Sequence, residues 1–206
     1  MSLNKSYKIW HKPIKNVYDD NGKLKKGQTY QGYLHEKYTL RHPEKYVGDP
    51  KLIIFRSSWE LAFCKWCDAS PSVVRWSSEP IKVPYYDRVS KLEECKKQGL
   101  DPNNPKNWVI KNYNTDFWIE IDKGDGSTQK MFVEIKPSEK LKKPIPPKEN
   151  ASLKEVRDFN IRAKEYLINE AKFESMKAWA ERNGAKFCVF TEETLRTLLG
   201  KFWVGD

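Results

Sequence analysis

The chain has 206 residues, room for one well-cored domain with extensions rather than for two ordinary domains. With 8 Trp, 10 Tyr and 9 Phe, the aromatic content supplies enough burial to offset chain entropy and excludes a wholly disordered protein, despite 32% charged residues. A net charge of +10 points to a polyanionic partner, nucleic acid before membrane, since no basic helix carries a bulky apolar face.

Excess lysine also solubilises a surface, so charge alone favours nucleic acid only modestly. The opening segment, residues 1–16, is polar and basic without an apolar core, so neither a signal peptide nor a membrane span is expected. Residues 1–44 read as a basic, aromatic N-terminal arm. Its rings, Trp10, Tyr30, Tyr33 and Tyr38, either track a nucleic-acid backbone together with neighbouring lysines or pin the arm to the core. The globular domain is expected over residues 45–206.

Within that domain, Tyr46-Val47-Gly48-Asp49-Pro50 is a turn leading into the apolar run 52–55. A helix follows to about residue 68. Ser57 and Glu60 have capping-box spacing at its start, Trp59, Ala62, Phe63 and Trp66 form a buried stripe, and Ser70-Pro71 stops it. Cys64 and Cys67 fall inside this helix, where a CxxC reads as two small buried side chains rather than a zinc or redox pair. Short strands are expected at 73–76 and 81–86. Residues 87–107, charged and punctuated by Pro and Asn, read as an insert with one short helix at 90–97.

A strand-rich block then covers 108–113, 116–121 and 130–135. Residues 140–148 form a stiff, basic, Pro-rich linker. One long helix or a broken pair spans 153–183, with Gly184 as its C-cap, followed by a strand at 186–190 and a helix at 192–199. This order predicts an α/β fold, a mixed sheet flanked by helices on both sides.

The turn Lys123-Gly124-Asp125-Gly126-Ser127 centres a hairpin on Asp125. Pairing symmetric about that centre sets Asp116 opposite Glu134 on one face, with Lys136 two residues further along the same face. Asp116 taken alone is a residue of a turn-like stretch, and Glu134 with Lys136 an exposed charge pair. Their apolar neighbours, Phe117-Trp118-Ile119, Val133 and Ile135, make idle charges less expected. Two converging carboxylates suit oxygen ligation of Mg²⁺ or Mn²⁺. A lysine beside such an ion completes what phosphodiester hydrolysis requires.

Thr115-Asp116…Glu134-Ile135-Lys136 resembles the PD-(D/E)XK nuclease signature, with Thr where the motif usually has Pro. The wider pattern is more specific. Lys45-Tyr46-x-Gly48-Asp49-Pro50, Arg56-Ser57-x-Trp59-Glu60, Trp76-x-Ser78-Glu79-x-Ile81-x-Val83-Pro84-Tyr85 and Val133-Glu134-Ile135-Lys136-Pro137 resemble the T4-type phage head completion nuclease family, over about residues 45–199.

The resemblance implies a restriction-endonuclease-like fold and an Mg²⁺-dependent endonuclease acting on double-stranded DNA ends during head completion, after packaging. It also implies phage head portal or neck proteins as partners, and the host cytoplasm during phage assembly, or the virion, as the setting. Glu60 matches the acidic residue that completes the metal site from the first helix, a role that competes with its capping box. Glu79 is a further acidic candidate, against a solvated turn. Arg56 would contact Glu60 or phosphate, and Lys172 would contact phosphate or lie on a solvated face. Two rival readings share these residues: a structural head-completion or DNA-end-binding protein with a silent nuclease site, and an endonuclease subunit of a transposition or recombination system.

Overall fold

The computed structural model describes residues 31–203; most of the expected N-terminal arm lies outside them. The described end of that arm packs onto the domain. Gly32 and Tyr33 form β1 (Gly32–Tyr33), paired with β2 (Ile54–Phe55). Leu34 is only 1% exposed, within the main core. Tyr38 Oη and the N–H groups of Arg41 and His42 all donate at 2.8 Å to the buried Asp68 carboxylate at the end of the first helix. Gly48 has φ +136°, and a Cβ there would meet the Tyr46 ring at 3.2 Å, which is why the turn before β2 takes glycine.

The first helix, α1 (Ser58–Ala69), begins at Ser57, whose hydroxyl accepts from the Glu60 N–H at 3.1 Å. It buries Ala62, Phe63, Cys64 and Cys67, so the CxxC is core packing. A four-stranded sheet follows in the order β3 (Val73–Ser78), β6 (Phe117–Asp122), β7 (Thr128–Ile135), β8 (Lys186–Phe190). The first three pair antiparallel; β7 and β8 are parallel. Parallel neighbours need a long crossover, and α3 (Leu153–Arg182) supplies it as one unbroken helix. It carries a complete capping box at Ser152 and Glu155, and Gly184, at φ +68°, follows its end.

Residues on β6 alternate between two apolar layers. Phe117 and Ile119 pack with Phe63 of α1 and with Leu195 and Leu199 of α4 (Glu192–Leu199); Trp118 packs with Phe132 of β7 and with Met176 and Ala180 of α3. Helices on both faces explain why four successive β6 residues are buried. The sheet is mixed and flanked by helices, a restriction-endonuclease-like α/β fold.

The strand-rich block divides. β5 (Val109–Asn114) does not join the main sheet but pairs with β4 (Lys82–Asp87) in a separate antiparallel ribbon. The ribbon packs Val83, Tyr85 and Tyr113 into the apolar layer on the α3 side. Residues 88–108, with the short helix α2 (Leu92–Gln98), connect its two strands. Among the described residues no helix is long and apolar enough to cross a membrane.

Candidate active site

The β6–β7 hairpin has the register expected from its turn. Phe117 faces Val133, Trp118 faces Phe132, and the ladder continues to Asp122 opposite Thr128. One step further this register sets Asp116 against Glu134, where the hairpin opens beside the start of α1. The Ile135 N–H donates to Asp116 Oδ2 at 2.7 Å, tying the two strand ends together. The Lys136 N–H donates to the Phe190 carbonyl at 3.0 Å, so Lys136 is held one residue past β7 by the neighbouring β8. Its ammonium lies 2.9 Å from Glu134 Oε1, with the Glu134 side chain 5% exposed and that of Lys136 23%.

Glu60 comes to this end of the sheet from the first turn of α1. Its carboxylate accepts from the Arg56 N–H at 2.8 Å and from the Ser57 hydroxyl at 2.9 Å. Ser57 caps the helix as expected, but the capping box is not completed: Glu60 reaches back to the Arg56 N–H, one residue before the cap, and sits at the helix start while feeling the charges of Glu134 and Glu79. Burial raises its pKa to about 7, and those two carboxylates add to the rise. Asp116 is pushed well above the ordinary carboxylate range by burial, then by Glu134 and Glu60, against the opposing Ile135 N–H and Lys136. Burial alone would lower the pKa of Lys136, but Glu134, Asp116 and Glu60 lift it above its ordinary value, keeping it a cation.

The outer residues divide between scaffold and cleft. Glu79 lies 2.5 Å from the Arg56 guanidinium and its side chain is 10% exposed, so it is an ion-paired group rather than a solvated turn. It adopts φ +42°, a strained value for a non-glycine residue, and its N–H donates to the Asp116 carbonyl at 2.8 Å. Thr115, where the motif usually has Pro, is buried and donates to Met176 Sδ at 3.0 Å. Lys172 lies over the rings of Tyr85 and Tyr113, its Nζ at 5.8 and 5.5 Å from their centroids. A cleft of about 580 Å³ opens here, and Arg56, Glu60, Lys136, Lys140, Ile168 and Lys172 are among its walls.

One residue goes beyond the sequence reading. Tyr113 of β5, 5% exposed, donates its hydroxyl to Glu134 Oε2 at 2.5 Å. Burial and the Glu134 charge raise its pKa, so it remains a donor. Tyr113 stands three residues before Asp116 at the end of an expected strand, and nothing in its immediate sequence marks it.

Each carboxylate is thus held by protein donors. Among the described residues no three His, Cys, Asp or Glu side chains gather into a ready metal cage. The expected convergence of Asp116, Glu134 and Glu60 on a single ion is not formed in this arrangement, because Glu60 is turned onto its helix cap.

A restriction-endonuclease-like sheet with acidic residues and a lysine at the open end of its central hairpin defines a class, the nucleases of that fold. A family model described as TnsA-like endonuclease N terminal matches residues 70–192, which include Asp116, Glu134 and Lys136 but not Glu60. The head completion nuclease of Enterobacteria phage T4 is 31% identical over 162 residues, spanning 79% of this chain and 93% of that protein. The chain belongs to this endonuclease family and is a relative of the T4 nuclease. No solved structure gives a significant match.

Proposed function

We propose that the chain is a divalent-metal-dependent deoxyribonuclease that cuts double-stranded DNA endonucleolytically and processes phage DNA ends during head completion, after packaging. The carrying observation is that Asp116, tied to the Ile135 N–H, lies close enough to Glu134 to feel its charge at the open end of the hairpin, beside the Lys136 ammonium and a cleft walled by cations. The relationship to the T4 head completion nuclease supports the setting, an infected host's cytoplasm, with portal or neck proteins near the DNA end.

The donor set fits a hard dication. Buried carboxylates that repel one another gain from a cation between them, and carboxylate oxygens suit Mg²⁺ or Mn²⁺. Magnesium keeps several waters and takes one or two carboxylates plus substrate phosphate rather than a closed protein cage, so Asp116 and Glu134 suffice as side-chain ligands. Glu60 would join them on leaving its cap. When bound, the ion supplies Lewis-acid chemistry, acidifying water and offsetting charge on the scissile phosphate.

The protein's own groups do the rest. Lys136, held by β8 and by Glu134, presents a fixed positive charge where negative charge grows during phosphodiester cleavage. Tyr113 holds Glu134 from the opposite side, so the carboxylate keeps one orientation. Arg56 and Lys172, at the cleft wall, take phosphate oxygens, contacts that position DNA without reading bases.

The test is plasmid cleavage by purified protein. Mg²⁺ or Mn²⁺ should produce nicked and linear products, and a chelator should stop the reaction. Asp116→Ala and Lys136→Ala should each abolish cutting while the protein stays folded and bound to DNA. Cutting without metal, or cutting that survives both substitutions, removes the assignment. Wild-type protein that binds DNA yet never cuts leaves the structural, silent-site reading in its place.

A further inference from the structure

α3 is 30 residues long, yet its fully buried residues, Met176 and Ala180, lie in its C-terminal half. In the first half Leu153, Val156, Ile161 and Leu167 stay exposed. Solvated helices gain little from propensity alone, so a helix that extends this far beyond its packing calls for another contribution.

A basic stripe runs along it. Lys154, Arg157, Ile161, Lys164, Ile168 and Lys172 follow one another at intervals of three or four residues. Five steps cover the 18 residues from Lys154 to Lys172, the period of the α-helix, so the stripe runs straight along the axis. Glu155, Glu170, Glu174 and Glu181 point well away from this stripe, while Asp158 and Glu165 flank one edge of it. Glu165, which lines the cleft, is already answered by Lys140 at 2.7 Å.

Lys154, Arg157 and Lys164 are exposed, and no ion pair engages them among the described residues. At the other end of the stripe, Ile168 and Lys172 line the cleft with Lys136. A continuous basic face therefore leads out of the cleft for about 27 Å, the rise of about 8 base pairs of duplex.

We propose that this face of α3 is a docking rail for double-stranded DNA, on which Lys154, Arg157 and Lys164 contact phosphates of the flank leaving the cleft. The inference rests on the DNA-cleaving role proposed above and adds a requirement to it. Duplex must continue for about 8 base pairs on the α3 side of the cut for full affinity. The contacts are phosphate contacts, so they set position and salt dependence, not sequence preference.

The experiment measures binding of a labelled blunt duplex by fluorescence anisotropy across a salt series, in an Asp116→Ala parent that cannot consume the probe. Replacing Lys154, Arg157 and Lys164 together by Gln, a good helix former, should lower the slope of log affinity against log salt by about 2–3 and weaken low-salt binding roughly tenfold or more. A control pair off the stripe, Arg162→Gln with Lys177→Gln, should shift the slope by less than about one. Circular dichroism checks the helix, and single substitutions, each worth about 0.9 in slope, serve if the triple variant folds poorly.

A triple variant with the parent's slope, or a control pair that shifts it as much, overturns the rail while leaving the nuclease reading intact. Failure of wild-type protein to cut duplex and of the parent to bind it sinks that reading and the rail with it.

Discussion

Two acidic sites in this molecule are oppositely treated. Where the β4–β5 ribbon meets its connecting segment, Asp87 is 1% exposed and fully answered. It accepts from the N–H groups of Val89 and Ser90 at 2.9 and 2.8 Å and from the Ser90 hydroxyl, and Lys111 lies 2.7 Å away. Burial opposes its charge, yet Lys111 and Ser90 outweigh that and hold its pKa down to about 2. At the open end of the β6–β7 hairpin the balance reverses. Asp116 accepts the Ile135 N–H, Glu60 is engaged at the helix start by the Arg56 N–H and the Ser57 hydroxyl, and burial with mutual repulsion raises both. Donor supply, set against burial and mutual repulsion, separates a carboxylate that stabilises the fold from one poised to take a cation.

Asp116→Asn gives this comparison its hardest test. It removes a repelled, under-donated charge with almost no change of shape. Cleavage should fall about a thousandfold, since the charge organises the reacting phosphate. The melting temperature should hold or rise, because a strained functional carboxylate contributes nothing to folding. A variant that melts well below wild type would place Asp116 with the structural carboxylates and erase the contrast.

Asp87→Asn should do the opposite. The folded pKa of Asp87 lies below its ordinary 3.8, so its stabilisation is complete above about pH 4 and is lost as pH falls through about 2. Because the Lys111 side chain is 44% exposed, solvent screening trims the gain, leaving about 1–2 kcal/mol at neutral pH. Urea melts at pH 7 and pH 2.5 should show the variant less stable at the first and closer to wild type at the second, with cleavage kept at neutral pH. An equal deficit at both values would mean that packing, not charge, is what Asp87 supplies.

What could be read in the chain before its structure follows the same division between local and assembled chemistry. The hairpin register was legible because Gly124-Asp125-Gly126 fixes a turn and period-two alternation carries the pairing outward to Asp116 and Glu134. The cap at Ser57 and Glu60 was legible for the same local reason. The fate of β5 was not. Its sequence suits the central block equally well, and only tertiary packing of Val83, Tyr85 and Tyr113 under α3 draws it to β4. The partner of Glu134 that β5 carries was therefore hidden as well. Glu79 was ambiguous because a left-handed glutamate facing Arg56 needs the fold in place to exist.

Tyr113 gives the smallest expected effect and the finest division between the two kinds of site, because it brings structural-style donation into the functional cluster. Tyr113→Phe keeps the ring in its layer and deletes one hydrogen bond to Glu134. Positioning partners of metal-binding carboxylates are worth roughly 10–100-fold in metal affinity or activity. Tyr113 shares Glu134 with Lys136, so the low end, about tenfold in kcat, is expected, with Mn²⁺ affinity measured by calorimetry falling in step. Stability should move by about 1 kcal/mol or less, and KM for DNA should stay, since the hydroxyl faces Glu134 and not the substrate. If kcat and Mn²⁺ affinity both stayed at wild-type values, Lys136 alone would orient Glu134. The Tyr113 hydroxyl would then belong with the donors around Asp87, satisfying a buried charge without tuning it.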